Sequence, residues 1–404
     1  MKTKYYFSIL TSVLLLCSCS EKTLEPITGS LGKPGVVTDV NVEPIAGGAV
    51  VSYRIPNSED ILAVKAVYTL TNGKETERVA SFYENKIKIE GYNDTIPNKA
   101  NIYVINRAQE LSDPVEVTFT PLESSLSKAI KTISIVQDFG GAQYNWRNED
   151  KAPLTMEFLA QDSLGQMQTM RIMTSEADSN RYSLRGYKAE PRYFGMIMRD
   201  NFDNASDTIF PSEGQITPLF EEKLNKKKMV VMKLGSDASF TNWEGMDSYL
   251  IDDDHDTFGH SASNSMPAAF TIDLGCVAKP SRVVMFQRKY SDSYYNWGNP
   301  LDFEVYVFKG TGTPSQSGDW SEWEKVMDCL VVKPSGSPSG TVTDEDITAA
   351  EEGHEFAFEL SQEPIRYIRL KILSTWGGSA FTHPAEVDLY GDCLLYTSDA
   401  ADEL

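Results

Sequence analysis

From residue 34 onward the chain is written in short β-like runs. VVTDVNVEPI (36–45), GAVVSYRIP (48–56), AVKAVYTLT (63–71), KIKIEGY (86–92), NIYVINRA (101–108) and VEVTFTPL (115–122) alternate apolar and polar positions or are rich in β-branched and aromatic residues, with Gly, Asn or Pro between them. Alternation puts successive side chains on opposite faces of a sheet, so each run predicts a strand with one buried face. AGG (46–48) and TNGKE (71–75) read as hairpin turns. Short strands at this spacing, with no helical period, predict an antiparallel sandwich over 34–123.

A second unit, 124–222, repeats the logic. KAIKTISIVQDFGGAQYNWRN (128–148) reads as strand, Gly-Gly turn and strand; TMEFLAQDSLGQMQTMRIM (155–173) as a hairpin around Ser163-Leu164-Gly165; YFGMIMRDNFDNASDTIF (193–210) follows. The two units share punctuation. Arg107, Ser112-Asp113 and Thr120-Pro121-Leu122 close the first; Arg199, Ser206-Asp207 and Thr217-Pro218-Leu219 close the second. This spacing predicts a tandem pair. Both units resemble fibronectin type III or other immunoglobulin-like domains, and their order resembles surface lipoproteins of Bacteroides-type bacteria. FEEKLNKKKMVVM (220–232) reads as a linker, with Lys226 to Lys228 as a solvated face.

Beyond Met229 the pattern changes. LIDDDHDTFGHS (250–261) is followed by AAFTIDLG (268–275), SRVVMFQRK (281–289), PLDFEVYVFKG (300–310), WSEWEKV (320–326), IRYIRLKIL (365–373) and PAEVDLYGD (384–392). That order resembles the discoidin, or coagulation-factor C-type, domain: the galactose-binding-like jelly roll of family 32 carbohydrate-binding modules. The resemblance covers 229–392. The expected fold class is therefore all-β: two tandem immunoglobulin-like sandwiches followed by a galactose-binding-like jelly roll.

In that family the loop matching 250–261 binds a structural Ca²⁺, an ion that takes six to eight hard oxygens. The resemblance implies Asp252, Asp254 and Thr257 as ligands, with Glu386 from the closing motif. Asp253 stands where the family often has Gly, and Gly259 where it often has Trp. The residues alone leave a second reading open, an Asp-rich turn held by side-chain-to-backbone hydrogen bonds. His255 and His260 suit zinc poorly, with no cysteine beside them and no helical His spacing.

Modules of this shape bind sugars at loops on one end, with aromatic faces against the ring and polar side chains on its hydroxyls. RKYSDSYYNWGNP (288–300) offers Arg288, Tyr290, Tyr294, Tyr295, Asn296 and Trp297; STWGGSAFTHP (374–384) offers Trp376, Phe381 and His383. The alternative is that these rings pack beneath their own loops. Trp320 and Trp323 lie in a strand-like run and are expected in the core; Arg366 and Arg369 are expected to brace their strand.

Composition narrows the partners. A net charge of −21 over 404 residues disfavours nucleic acid and anionic lipid, and suits a neutral ligand such as a sugar. Lys2 and Lys4 precede an apolar run, Tyr5 to Leu16, too short to span a bilayer. The run ends in Leu16-Cys17-Ser18-Cys19, which resembles a bacterial lipobox: signal peptide 1–18, lipid on Cys19, tether 19–33. An ordinary secretory signal is the alternative. CLLYTSDAADEL (393–404) looks like the translation of a sequencing adapter. Cys276 and Cys329 read equally as a disulfide or as two buried thiols.

The expectation is a non-catalytic carbohydrate-binding lipoprotein of the outer membrane, on the cell surface or its periplasmic face. It would meet the membrane only through its anchor, with a glycan and an outer-membrane uptake complex as partners. The alternative is an adhesion protein. No nucleophile elbow, zinc helix or phosphate loop points to an enzyme.

Overall fold

The computed structural model describes residues 31–289 and 294–393. The proposed signal peptide, Cys17 and Cys19, Tyr290, and the residues after Cys393 lie outside the described residues. The described chain is all-β, in antiparallel sheets around three separate cores.

The first unit holds β1 (Thr38–Ile45), β2 (Gly48–Arg54), β3 (Ile61–Thr69), β4 (Glu75–Ser81), β5 (Lys86–Glu90), β6 (Asn98–Asn106) and β7 (Val115–Phe119). Sheets β1-β2-β5 and β4-β3-β6-β7 face each other across Val51, Val64, Ala66, Ile89, Ile102 and Val104, all fully buried. Both expected hairpins form, with Gly47 at φ 63° and Gly73 at φ 82°. Strand β4 has no counterpart in the sequence reading, because ETERVAS buries only Ala80.

The second unit opens with α1 (Ser125–Ile130), capped by Ser124, then β8 (Ser134–Asp138), β9 (Gly141–Arg147), β10 (Leu154–Gln161), β11 (Met167–Ser175), β12 (Ser179–Leu184) and β13 (Phe194–Arg199). Its sheets are β12-β9-β8 and β11-β10-β13. The shared punctuation does the same work in both units. Ser112 Oγ accepts from Val104 N at 2.9 Å, and Ser206 Oγ from Met198 N at 3.0 Å. Leu122 N donates to Ile45 O and Leu219 N to Asp138 O, each at 2.9 Å.

The third unit comprises β14 (Glu222–Lys223), β15 (Val230–Met232), β16 (Ala268–Gln287), β17 (Pro300–Phe308), β18 (Trp323–Leu330), α2 (Asp344–Glu352), β19 (His354–Ala357), β20 (Ile365–Thr375) and β21 (Pro384–Cys393). Strands run β14-β21-β16-β20-β17-β18, and β15 and β19 also pair with β16. The 20-residue β16 serves both layers: residues 268–273 pair with β15 and β20, and residues 278–287 with β19 and β21. Gly275, at φ 70°, sits in the irregular stretch between. A Cβ there would lie 2.2 Å from Lys228 O, so the bend requires glycine.

Two expectations change. Residues 220–232 do not form a linker: β14 pairs with β21, and Leu224 and Met229 enter the core. Lys226 is buried and so is not part of a solvated face. Trp323 is buried; Trp320 is half-buried, beneath Arg369, whose guanidinium carbon lies 3.8 Å from the ring centroid. Arg369 is fully buried and pairs with Asp237 at 2.6 Å, while Arg366 pairs with Asp273 at 2.9 Å. Cys276 and Cys329 are buried free thiols.

Arg185 joins the second and third units. Its guanidinium reaches Glu355 at 3.2 Å, Glu221 at 3.3 Å and Asp138 at 3.5 Å, and donates to Ser281 Oγ at 3.1 Å. Arg282 closes the cluster from the jelly-roll side, 2.7 Å from Glu355 and 3.1 Å from Glu221.

Candidate functional site

The stretch 250–261 does two separate jobs. Its first half is the Asp-rich turn. Asp253 takes φ 64°, a left-handed conformation that Asp tolerates better than most residues. Asp252 accepts from Asp254 N at 3.1 Å and from the Thr257 hydroxyl at 3.0 Å; Asp254 accepts from Asp256 N at 3.0 Å. These are the local bonds of an Asx-type turn.

Of the four implied calcium ligands, Asp252, Asp254 and Thr257 are joined within the turn, and Glu386 reaches that turn from β21. Glu386, fully buried on β21, is already committed: Oε2 accepts from Asp253 N at 2.8 Å, and Oε1 lies 2.8 Å from Lys226 Nζ. Lys226 also meets Asp388 at 2.5 Å and Asp253 at 3.3 Å. Among the described residues no group of three or more His, Cys, Asp or Glu converges in metal-ligating geometry. An ammonium group and a backbone N–H tie the turn to the last strand in this structure. Burial pushes the Glu386 carboxyl up to about 7, against the pull of Lys226.

The missing family aromatic at Gly259 also has a local cause. A Cβ at Gly259 would meet Leu250 Cδ2 at 2.7 Å and Phe240 Cβ at 3.1 Å, so those two side chains already fill the space.

The second half of the stretch reaches the two candidate loops. Gly259 N donates to Pro384 O at 3.0 Å, Ser261 N to Thr382 O at 2.9 Å, and Thr382 N to Ser261 Oγ at 2.9 Å. Thr382 Oγ1 donates to Gly298 O at 2.8 Å, and Gly298 N to His383 Nε2 at 3.0 Å. Three segments distant in sequence therefore form one hydrogen-bonded rim.

Burial sorts the candidates. Tyr295 is fully buried, its hydroxyl donating to Asp346 O at 3.2 Å and its ring edge-on to Trp376 at 5.3 Å. Tyr294, Asn296 and His383 are buried too. All four side chains pack inward in this structure. Burial also holds the His383 imidazole down at about 3. Trp376 is half-buried against the core, with Lys333 Nζ 5.3 Å from its ring centroid. The alternative that rings pack beneath their own loops holds for this set.

Four side chains remain at the rim: Trp297, Arg288, Phe381 and Phe258. Trp297 is 53% exposed at φ 46°. Arg288 lays its guanidinium carbon 3.4 Å from the Phe258 ring centroid, and half-buried Phe381 stacks on His260 at 4.8 Å and 21°. Asn299, fully buried, holds the base of the loop by accepting from Arg288 N at 2.8 Å and donating to Arg288 O at 2.9 Å.

Sequence reasoning missed Trp243 and Phe258 as rim residues, and His260 as the buried ring packed between them and Phe381. Trp243 is 80% exposed and 6.3 Å from His260 between ring centroids. The Asn-Trp pair gave no clear signal: it occurs at 242–243 and 296–297, and also at 145–146, where Trp146 lies in the core.

Three family models match consecutive stretches: a domain of unknown function (DUF4959) at 34–121, a domain of unknown function (DUF5126) at 122–227, and DUF5000, likewise a domain of unknown function, at 248–391. No curated protein matches the chain. Among solved structures, a SusE-like protein is 32% identical, the match covering 66% of this chain and 98% of that one, with a TM-score of 0.43. The C-terminal domain of a chitobiase from Bacteroides fragilis is 18% identical, covering 42% and 97% of the two chains, with a TM-score of 0.29. CBM32-1 from a family 31 glycoside hydrolase of Clostridium perfringens is 17% identical, covering 41% and 96%, with a TM-score of 0.26.

Proposed function

The chain belongs to the SusE-like family on sequence identity and coverage, and from that premise we propose that it is a non-catalytic glycan-binding protein of the cell surface. In this reading lipid on Cys19 anchors it to the outer membrane, the first two units act as spacers, and the third presents the binding rim, with an outer-membrane uptake complex as a further partner.

One observation carries the reading: Trp297 stands exposed, in strained backbone, on a loop whose base is fully buried and hydrogen-bonded. An exposed indole offers a flat apolar face to the C–H face of a sugar ring. Arg288 supplies guanidinium donors for hydroxyl oxygens beside it. One such platform supports weak binding, micromolar to millimolar.

The acidic stretch serves as structure in this reading. Asp252 accepts from Thr257 and Asp254 N, and Glu386, fully buried, is held by Lys226 and Asp253 N. Among the described residues no helix is long and apolar enough to cross a membrane.

The test is a glycan array and affinity electrophoresis in polysaccharide gels with the purified chain and its Trp297→Ala variant. Binding that Trp297→Ala abolishes supports the reading. Binding unchanged in the variant overturns the site; no binding to any glycan overturns the function. Glycan hydrolysis by the purified chain would overturn the non-catalytic assignment.

A further inference from the structure

Two tryptophans occupy the glycine position of two separate turns. In Asn242–Gly245, Gly245 N donates to Asn242 O at 2.9 Å, and the positive φ falls on Trp243, at 48°. In Asn296–Asn299, Asn299 N donates to Asn296 O at 3.1 Å, and the positive φ falls on Trp297, at 46°. A turn with left-handed φ at its first central residue calls for glycine, because a Cβ there crowds the backbone. A bulky residue in that conformation is a genuine outlier and persists only where its surroundings hold it. Here they do: Asn242 N donates to His260 O at 3.0 Å, and Gly377 N to Trp297 O at 2.8 Å.

The fold gains little from the Trp243 ring, which is 80% exposed and adds little apolar burial to offset the backbone cost; Trp297, 53% exposed, still offers about half of its surface to solvent. Exposure this high also places neither ring at the bottom of a closed pocket.

The ground between them is continuous. Trp243 lies 6.3 Å from His260, and His260 stacks on Phe381 at 4.8 Å. Phe381 packs against Gly298, where a Cβ would come within 2.9 Å of its ring, and Gly298 is the residue after Trp297. Arg288 lies on the same side, over Phe258, whose ring centroid is 6.4 Å from that of His260.

Resting on the glycan-binding reading above, we infer that the ligand is an extended glycan chain rather than a single terminal sugar. One residue stacks on Trp297, another on Trp243, and the intervening chain crosses Phe381, which the buried His260 supports from behind. A single terminal residue needs one platform inside walls. Two open platforms joined by a stacked His–Phe pair suit a run of linked rings, engaged anywhere along its length.

The experiment is affinity electrophoresis of the purified chain against a panel of neutral polysaccharides. Titration with the mono- to hexasaccharide ladder of whichever polysaccharide retards it most then follows, for wild type, Trp243→Ala, Trp243→Gly and Trp297→Ala. The expected result is affinity that climbs at least tenfold from monosaccharide to tetrasaccharide. Trp243→Ala should lose that climb while keeping the affinity for the shortest sugars bound. Trp243→Gly should lose it too, although its turn is relieved of strain, which separates loss of the platform from misfolding. Wild-type affinity for the hexasaccharide in both Trp243 variants overturns the inference, as does a monosaccharide that binds as tightly as the hexasaccharide. If no polysaccharide retards the wild type, the glycan-binding reading itself has failed.

Discussion

Lys226 Nζ lies 2.8 Å from Glu386 Oε1, with both side chains almost wholly out of solvent. Charges brought out of water demand partners, and this pair has them in Asp388 and Asp253. The ammonium sits where the acidic turn meets the last strand, and it makes the tie that a bound ion would otherwise make.

Removing it should be costly. Lys226→Met leaves Glu386 buried without its counter-charge and Asp388 with Lys223 alone, a loss of about 3–5 kcal/mol by precedent for broken buried pairs. Urea denaturation would show this as a lower midpoint for the third unit. The Lys226→Met/Glu386→Gln double variant should recover part of the loss. Millimolar calcium should leave the wild-type melting temperature unchanged; a calcium-dependent rise would restore the family's ion to this turn.

Acid should weaken the jelly roll. Unfolded histidine takes up its proton near pH ~6.5, whereas burial holds His354 at about 4 and His383 at about 3 in the fold. Below pH ~6.5 the unfolded state therefore binds protons that the folded state refuses. The histidine contribution is full above that value and is lost as pH falls toward 4, by about 1.4 kcal/mol per pH unit for each histidine, while Glu386, raised to about 7, offsets the loss of one of them down to its unfolded value. Urea midpoints at pH 7.5 and 4.5 measure it. His354→Gln, which keeps an amide beside Gln287, should flatten the slope; an equal slope in the variant would assign the acid sensitivity to other groups.

Stability and binding should part company at the rim. Trp297→Gly replaces a residue at φ 46° by the one residue free to adopt that angle. It should hold or raise the melting temperature, by up to ~1 kcal/mol in stability, while removing glycan affinity. Calorimetry beside affinity electrophoresis reads both. A marked fall in melting temperature would mean that Trp297 packs as structure.

At the junction, Arg185→Ala removes contacts to Asp138 and Glu221 on one side and to Ser281 and Glu355 on the other. The second and third units should then melt as separate calorimetric transitions, and small-angle scattering should report a wider spread of shapes. A single unchanged transition would mean that apolar contact, and not this cluster, couples them.

Much of the fold was legible, because alternation survives wherever one face of a strand is buried, as in GAVVSYRIP and AAFTIDLG. Strand β4 was not, since ETERVAS is an outer strand with one buried residue and no apolar rhythm. Lys226 was misread for a related reason: three consecutive lysines look solvated unless the carboxylates that bury one of them, more than 150 residues later, are known. At the rim, residue type pointed to the right loops and could not sort them. Tyr295 and Trp297 are near neighbours in sequence, yet one is fully buried and the other half in solvent. That difference arises from a turn geometry the letters do not display.

Strand β21 has a mechanical meaning. Its first residues, Pro384 to Glu386, adjoin the rim, while near its far end Tyr390 and Gly391 pair with Lys223 and Glu222, where the chain arrives from the second unit. A pull between a captured ligand and the N-terminal units therefore runs lengthwise along one strand. It loads the flanking β16 ladder in shear, many hydrogen bonds at once, instead of peeling them one by one. If the rim holds a polymer as proposed, drag on it is resisted in the direction in which a sheet is hardest to tear.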